Sequence, residues 1–277
     1  MTHSDRLGCS TITFRMLDLS EALGRIAATG LRAIDLGAVT RFCPHADPLA
    51  AIDDDLVRLA DEIASSGLRV SSVNAWSLTH LNDTDSVELP YLRAALRLTR
   101  AVGAPVMTVQ PGRAVSDDHW EADARTVAAR LDGLGAEARE LGLTLAVEAP
   151  HKGTLAERFD HACEFIELVD EELVGVALDT SHISNAGATI EDALDRYGSR
   201  VRHVHLRDYR DGNILLTPGD GEIDFGAVFA GLERLGYAGA YSFELEGRDA
   251  TADEMESELR RAIDHVSRLE HAQKELT

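Results

Sequence analysis

The chain has 277 residues, 44% of them hydrophobic, with 48 acidic against 27 basic side chains and a formal net charge of −21. That length suits one barrel of about 250 residues or two small domains, and the hydrophobic content excludes a disordered chain. An acidic surface repels polyphosphate and anionic lipid, and no apolar run approaches the roughly 20 residues that cross a bilayer, which argues against nucleic acid and membranes as partners. The opening stretch lacks a basic segment followed by an apolar one, so a cytoplasmic location is expected. Cys9, Cys43 and Cys163 are odd in number and far apart, which predicts reduced thiols rather than a disulfide framework.

Along the chain, short β-like runs alternate with longer segments of helical period. The run 8–14 precedes a helix-like stretch at 18–29, 33–37 precedes 50–66, 68–75 precedes 87–103, and 106–110 precedes 118–141. The second half repeats the pattern: 144–148 then 156–169, 174–179 then 189–197, 202–206 then 224–235, and 241–246 then 251–271. Asp18 and Ser116 offer N-cap oxygens, while Gly30, Gly67, Gly103 and Gly142 each follow a helical run, where a residue of positive φ ends a helix. No linker interrupts the alternation. Eight strand–helix units imply right-handed βαβ crossovers and a parallel sheet closed into a single-domain (β/α)8 TIM barrel.

Successive strand side chains face opposite ways. Leu145 and Val147 share one face of their run, opposite Thr144, Ala146 and Glu148. Val174, Val176 and Leu178 oppose Gly175, Ala177 and Asp179; Val204 and Leu206 oppose His203 and His205; Phe243 and Leu245 oppose Ser242, Glu244 and Glu246. The large apolar face suits packing against an outer ring of helices, which leaves the small or polar face to line the barrel. Polar side chains therefore converge at the C-terminal strand ends, where barrel enzymes carry their active sites. Several buried carboxylates need a compensating cation or hydrogen bonds. A divalent metal satisfies Glu148, Asp179 and Glu244 together, with His205 supplying a nitrogen. His203, on the same face but one layer deeper, is expected to be a hydrogen-bonded core histidine. By parity Glu246 rivals Glu244, but it lies further along, in the loop.

At these residues the sequence resembles the sugar phosphate isomerase/epimerase superfamily, the xylose-isomerase-like TIM barrels that include endonuclease IV. The matching pieces are Val147-Glu148-Ala149-Pro150-His151, Leu178-Asp179-Thr180-Ser181-His182, His203-Val204-His205-Leu206-Arg207-Asp208 and Ser242-Phe243-Glu244-Leu245-Glu246. Pro218 to Phe225 also looks like the family's loop into its last helix. The resemblance implies one divalent ion on Glu148, Asp179, His205 and Glu244, commonly manganese, with magnesium, cobalt or zinc in some members. It further implies an isomerase or epimerase in which residues matching Glu148 and Glu244 form an acid/base pair and the residue matching His182 contacts substrate. The residue types fit this chemistry. Oxygen-rich ligation with one imidazole suits a fairly hard ion, which acidifies a C–H beside a carbonyl and stabilises an enediolate, while carboxylates move the proton.

Around that centre, Asn74, Trp76 and Gln110 end strands and are expected to meet sugar hydroxyls, with Trp76 also able to pack as a lid over the core. His151 and Lys152 follow Glu148, in position to meet an anionic group or solvent. Arg207 points away from His205 by parity, so only a departure from the strand brings it to the substrate. His45 and His80 lie in early loops, facing substrate or solvent. The expected partner is a small sugar or polyol, with a homo-oligomer allowed. Three rivals remain: an inosose-dehydratase-like lyase, which begins with the same proton abstraction; a phosphodiesterase like endonuclease IV; and a sugar-binding barrel without turnover. The phosphodiesterase needs an Asp-x-His after the seventh strand, and the segment Asp211–Asp220 contains no histidine.

Overall fold

Strands that alternate a large aliphatic side chain with a small or polar one bury both faces when the sheet closes on itself and helices cover its outside. The structure, a computed structural model, describes residues 6–43, 45–49, 53–77, 79–247 and 249–275. It contains a closed barrel of parallel strands in the order β1-β10-β7-β6-β5-β4-β3-β2. The barrel strands are β1 (Leu7–Ser10), β2 (Ala33–Val39), β3 (Arg69–Trp76), β4 (Val106–Val109), β5 (Thr144–Glu148), β6 (Val174–Asp179), β7 (Val201–Leu206) and β10 (Tyr241–Phe243). Helices α1 (Leu19–Ala28), α2 (Asp53–Ser65), α3 (Glu88–Ala101), α4 (Asp117–Glu140) and α5 (Phe159–Leu168) connect the first six strands. Then come α6 (Thr180–Asn185), α7 (Ile190–Tyr197), α8 (Phe225–Arg234) and α9 (Ala252–Glu275).

The two faces of the strands separate as the alternation predicts. Leu145, Val147, Val174, Val176, Leu178, Val204, Leu206 and Phe243 all join the main core against the helices. Ala146 and Ala177 instead form a small cluster with Val106 inside the barrel. At about 25 cal/mol per Å² of apolar area removed from water, this double-sided burial is the dominant favourable contribution to folding. Asp18 caps α1 by accepting the Glu21 amide at 2.9 Å. Gly30 (φ 91°) and Gly142 (φ 74°) turn the chain out of α1 and α4 in the left-handed conformation. Ser116 sits at the α4 N-cap without accepting an amide; its Oγ lies 2.9 Å from His119 Nδ1 instead.

Other departures occur where side chains replace the sheet's ladder. The first run stops at Ser10, and Thr11–Phe14 is a 3-10 turn. Thr11 Oγ1 accepts the Gly37 amide at 2.9 Å and Thr13 Oγ1 accepts the Leu245 amide at 3.1 Å. The last run likewise ends at Phe243, so Glu244 to Glu246 leave the sheet. The helix expected from 156 begins at Phe159, because Thr154 Oγ1 and the His151–Ala156 backbone bond first close a turn. For the helix expected from 50, residues 50–52 lie outside the described residues; it is observed from Asp53. After β7 the chain makes an unforeseen antiparallel hairpin, β8 (Asp208–Arg210) with β9 (Asn213–Leu216). The segment 218–225 then leads into α8, not into the last helix as its resemblance suggested. The Asp208 carboxylate shapes that segment, accepting the amides of Tyr209, Gly219, Gly221 and Ile223 at 2.8 to 3.0 Å.

Candidate active site

Glu148 ends β5, Asp179 ends β6, His205 lies near the end of β7, and Glu244 follows β10. Asp179 pairs with His205, while Glu148 pairs with Ala177, two residues before Asp179, and His205 with Ser242, two before Glu244, so it is the stagger of the closed barrel that gathers the four. All four side chains are buried, and their candidate ligand atoms lie within 4.8 Å of one another. His205 Nδ1 is 3.4 Å from Glu148 Oε1 and 3.6 Å from Glu244 Oε2. Asp179 Oδ1 accepts from the Ser181 amide and hydroxyl and the His182 amide, capping α6. Its Oδ2 receives the Nε and Nη2 of Arg207.

Arg207 is the largest departure from strand parity. The ladder ends at Leu206, and Thr180 Oγ1 bonds both the Arg207 carbonyl, at 2.6 Å, and its amide, at 3.1 Å. Thus tied, the guanidinium turns back into the site and is buried against Asp179 (2.7 Å), Glu246 (3.0 Å) and Glu244 (3.6 Å). Glu246, half-buried, stands outside the four-residue cluster and bonds Arg207.

The electrostatics show what the cluster favours. Burial pushes the Glu244 carboxyl up to about 8, against the pull of His205 and Arg207. For Glu148, burial is outweighed by the neighbouring His151 and His205 rings, which hold it near 2. Asp179 overcomes its burial through Arg207 and falls well below the carboxylate range. His205 is buried, which opposes charge, yet Glu244, Asp35 and Glu148 raise it well above an ordinary histidine. The cluster thus draws positive charge to the point between its carboxylates. Three oxygen donors and one imidazole are a donor set that suits a hard divalent cation, and the residues present fit one.

A cavity of about 420 Å³ opens above the cluster. Glu148, Glu244, His182 and Arg207 form one side of its lining, while Asn74, Trp76, His80 and Gln110 form the other. Asn74 Nδ2 donates to Glu244 Oε1 at 3.1 Å. Trp76 packs on Ile12, Val39 and Cys43 and also lines the cavity. His182 overhangs from α6, its ring 4.3 Å from that of His151, and burial depresses it to about 3. His151 Nε2 lies 3.3 Å from Gln110 Nε2 and 3.8 Å from Glu148 Oε2, and Lys152 also lines the cavity. His80 faces the cavity. His45 faces neither substrate nor solvent: it is buried, with Nε2 3.1 Å from the Leu17 carbonyl and Nδ1 3.3 Å from Cys43 Sγ. His203 is a buried core histidine, as expected, 3.1 Å from Ser72 Oγ. Sequence reasoning missed Asp35, fully buried with its Oδ2 3.3 Å from His205 Nε2. Its signal was an acid inside the apolar run Ala33-Ile34-Asp35-Leu36.

The barrel and its inward carboxylates define a class, and the chain belongs to the xylose isomerase-like TIM barrel family, whose family model matches residues 23–269. Among curated proteins, the inosose dehydratase of Clostridium perfringens is 31% identical over 160 residues, covering 51% of this chain and 52% of the relative. That of Lacticaseibacillus casei is 28% identical over 163 residues, covering 52% and 53%. The chain thus spans about half the length of the curated relatives it matches. Among solved structures, D-psicose 3-epimerase from Clostridium cellulolyticum H10 with D-tagatose aligns at TM-score 0.78 and 16% identity, covering 95% of this chain and 99% of that one. An IOLI protein with a bound zinc atom aligns at 0.77 and 20% identity, over 95% and 99%. At such identities these two show the fold alone.

Proposed function

We propose that this chain is a divalent-metal-dependent isomerase or epimerase of a keto-sugar or related polyol, with Glu148, Asp179, His205 and Glu244 as metal ligands and manganese as the metal. The observation that carries this reading is the meeting of Glu148 and Glu244 at one cavity from strands β5 and β10, which β6 and β7 separate around the barrel. When bound, a divalent ion there polarises a carbonyl and the neighbouring hydroxyl and acidifies the C–H between them. Glu148 is the base that takes that proton, and Glu244, approaching from the other side, is the acid that returns one. Neutral His182 and Gln110 are placed to orient substrate hydroxyls, His151 and Lys152 to meet an anionic or hydroxyl group at the mouth, and Asn74 and Arg207 to contact both substrate and carboxylates. Trp76 and Ile12 exclude water from the reacting carbon.

A second reading is favoured by one specific observation: the curated relatives named above are inosose dehydratases. A dehydratase begins with the same abstraction by Glu148, but the acid then protonates a departing hydroxyl instead of carbon. The deciding experiment incubates manganese-loaded protein with free ketoses, phosphorylated sugars and inososes in D2O and follows products by NMR. Deuterium beside the carbonyl of an intact product supports isomerisation or epimerisation; loss of water supports the lyase. Absence of exchange and turnover with every substrate class would defeat both.

A further inference from the structure

Asp35 stands on β2, fully buried on the far side of His205 from Glu148 and Glu244. A carboxylate in that setting demands partners. Its Oδ1 accepts from Ser72 Oγ at 2.6 Å, and its Oδ2 faces His205 Nε2 at 3.3 Å. Neither Oδ2 nor Nε2 has a hydrogen bond elsewhere. Ser72 Oγ also lies 3.1 Å from His203 Nε2.

Proton bookkeeping fixes the direction of every link. A carboxylate only accepts, so the single Ser72 proton goes to Asp35. The Ser72 oxygen must then accept from His203, which places a proton on His203 Nε2. On the other side, Asp35 Oδ2 can take only a proton carried by His205 Nε2. The remaining nitrogen, Nδ1, is the one 3.4 Å from Glu148 Oε1 and 3.6 Å from Glu244 Oε2.

We infer that Asp35 is a positioning residue, held in place by Ser72 and His203, which locks His205 as its Nε2–H tautomer and presents the Nδ1 lone pair to a divalent cation between Glu148 and Glu244. The inference rests on the metal-centre reading above. A neighbouring carboxylate also raises the donor strength of the imidazole, and losing such an outer partner characteristically weakens metal binding by about ten- to a hundred-fold.

The test needs no substrate. Zinc affinity is measured by competition calorimetry, and the His205 ring protons are followed by 15N NMR on the diamagnetic zinc-loaded protein. Wild type should show a protonated Nε2. Asp35→Ala should bind zinc about ten- to a hundred-fold more weakly. Asp35→Asn, which keeps an accepting oxygen but loses the charge, should fall between that variant and wild type, and Ser72→Ala should show a smaller loss with the tautomer scrambled. If Asp35→Ala does not fold, Asp35→Asn and Ser72→Ala decide the question. A purely structural role would lower the Tm of these variants and leave zinc affinity within about twofold of wild type, which overturns the inference alone. A His205 protonated on Nδ1 in the zinc form would overturn it as well. Wild type that binds no divalent ion would instead overturn the metal-centre reading, and this inference with it.

Discussion

The Arg207 guanidinium meets one oxygen of Asp179 through two nitrogens, Nε at 2.8 Å and Nη2 at 2.7 Å from Oδ2. Both side chains are buried, so the contact is a desolvated charge pair set among further carboxylates. Removing one member of such a pair strands the other.

Arg207→Ala should therefore destabilise the metal-free protein by about 3–5 kcal/mol in urea unfolding. The loss should shrink when a divalent ion is present, because the ion supplies charge to the same carboxylates. Arg207→Lys should rescue little, since one ammonium cannot reproduce the planar fork that reaches Asp179 and Glu246 together. Equal losses with and without metal would show that Arg207 and the ion are independent.

His205→Ala should abolish tight divalent binding, whereas His203→Ala should lower stability by about 1–3 kcal/mol through the stranded Ser72–Asp35 pair and retain metal. Elemental analysis of metal-loaded protein should return a single equivalent per chain for wild type and for His203→Ala. Three zinc ions per chain would point instead to a phosphodiesterase centre.

How far these residues were legible in the sequence differs by cause. Strands β5 and β6 begin and end where the alternation puts them, because Leu145, Val147, Val176 and Leu178 all face one core. The four inward residues of the candidate centre were legible for the same reason: strand parity fixes a direction, and all four lie near or beyond the C-terminal ends of their strands. Arg207 was misdirected because parity ends with the ladder at Leu206, and Thr180, from another element, decides where the chain turns. Asp35 was overlooked because its partners Ser72 and His205 are distant in sequence, and a lone acid in an apolar run carries no address. His45 looked like a loop histidine, but the Leu17 carbonyl and Cys43 draw it inside.

Glu88, in the first turn of α3, is buried and accepts from the Ser77 amide at 3.0 and 3.2 Å. Burial lifts it from 4.5 to about 7. Between those values the folded state holds more protons than the unfolded one, so its contribution is full below about 4.5 and is lost as pH rises through about 7. Glu88→Gln, which retains an acceptor for Ser77, should flatten that slope, on the order of 3 kcal/mol across the interval. Chemical denaturation at a series of pH values checks this, and an unchanged slope would assign the dependence to other groups.

Asp208 gathers four amides around its carboxylate, and a Cβ on Gly221 would stand 2.3 Å from its Oδ1 and 2.6 Å from the Tyr209 carbonyl. Asp208→Ala should cost about 2–4 kcal/mol by leaving those donors without their acceptor. Gly221→Ala should cost about 1–3 kcal/mol through the clash. In both, hydrogen exchange should quicken across 208–224 while the amides of β5 and β6 stay protected.

The lining of the cavity divides by strand. Its charged groups hang from the β5, β6, β7 and β10 side, and the opposite wall, from β3 and β4, carries Asn74, Trp76 and Gln110. Asn74 and Gln110 cross that divide by touching Glu244 and His151, and beneath the cavity Asp35 touches His205. Such a partition makes the molecule modular for an engineer. Trp76 and His80 can be randomised to admit bulkier or differently hydroxylated molecules without disturbing the charged wall, whereas any library that includes position 74, 110 or 35 would confound selectivity with the integrity of the centre itself.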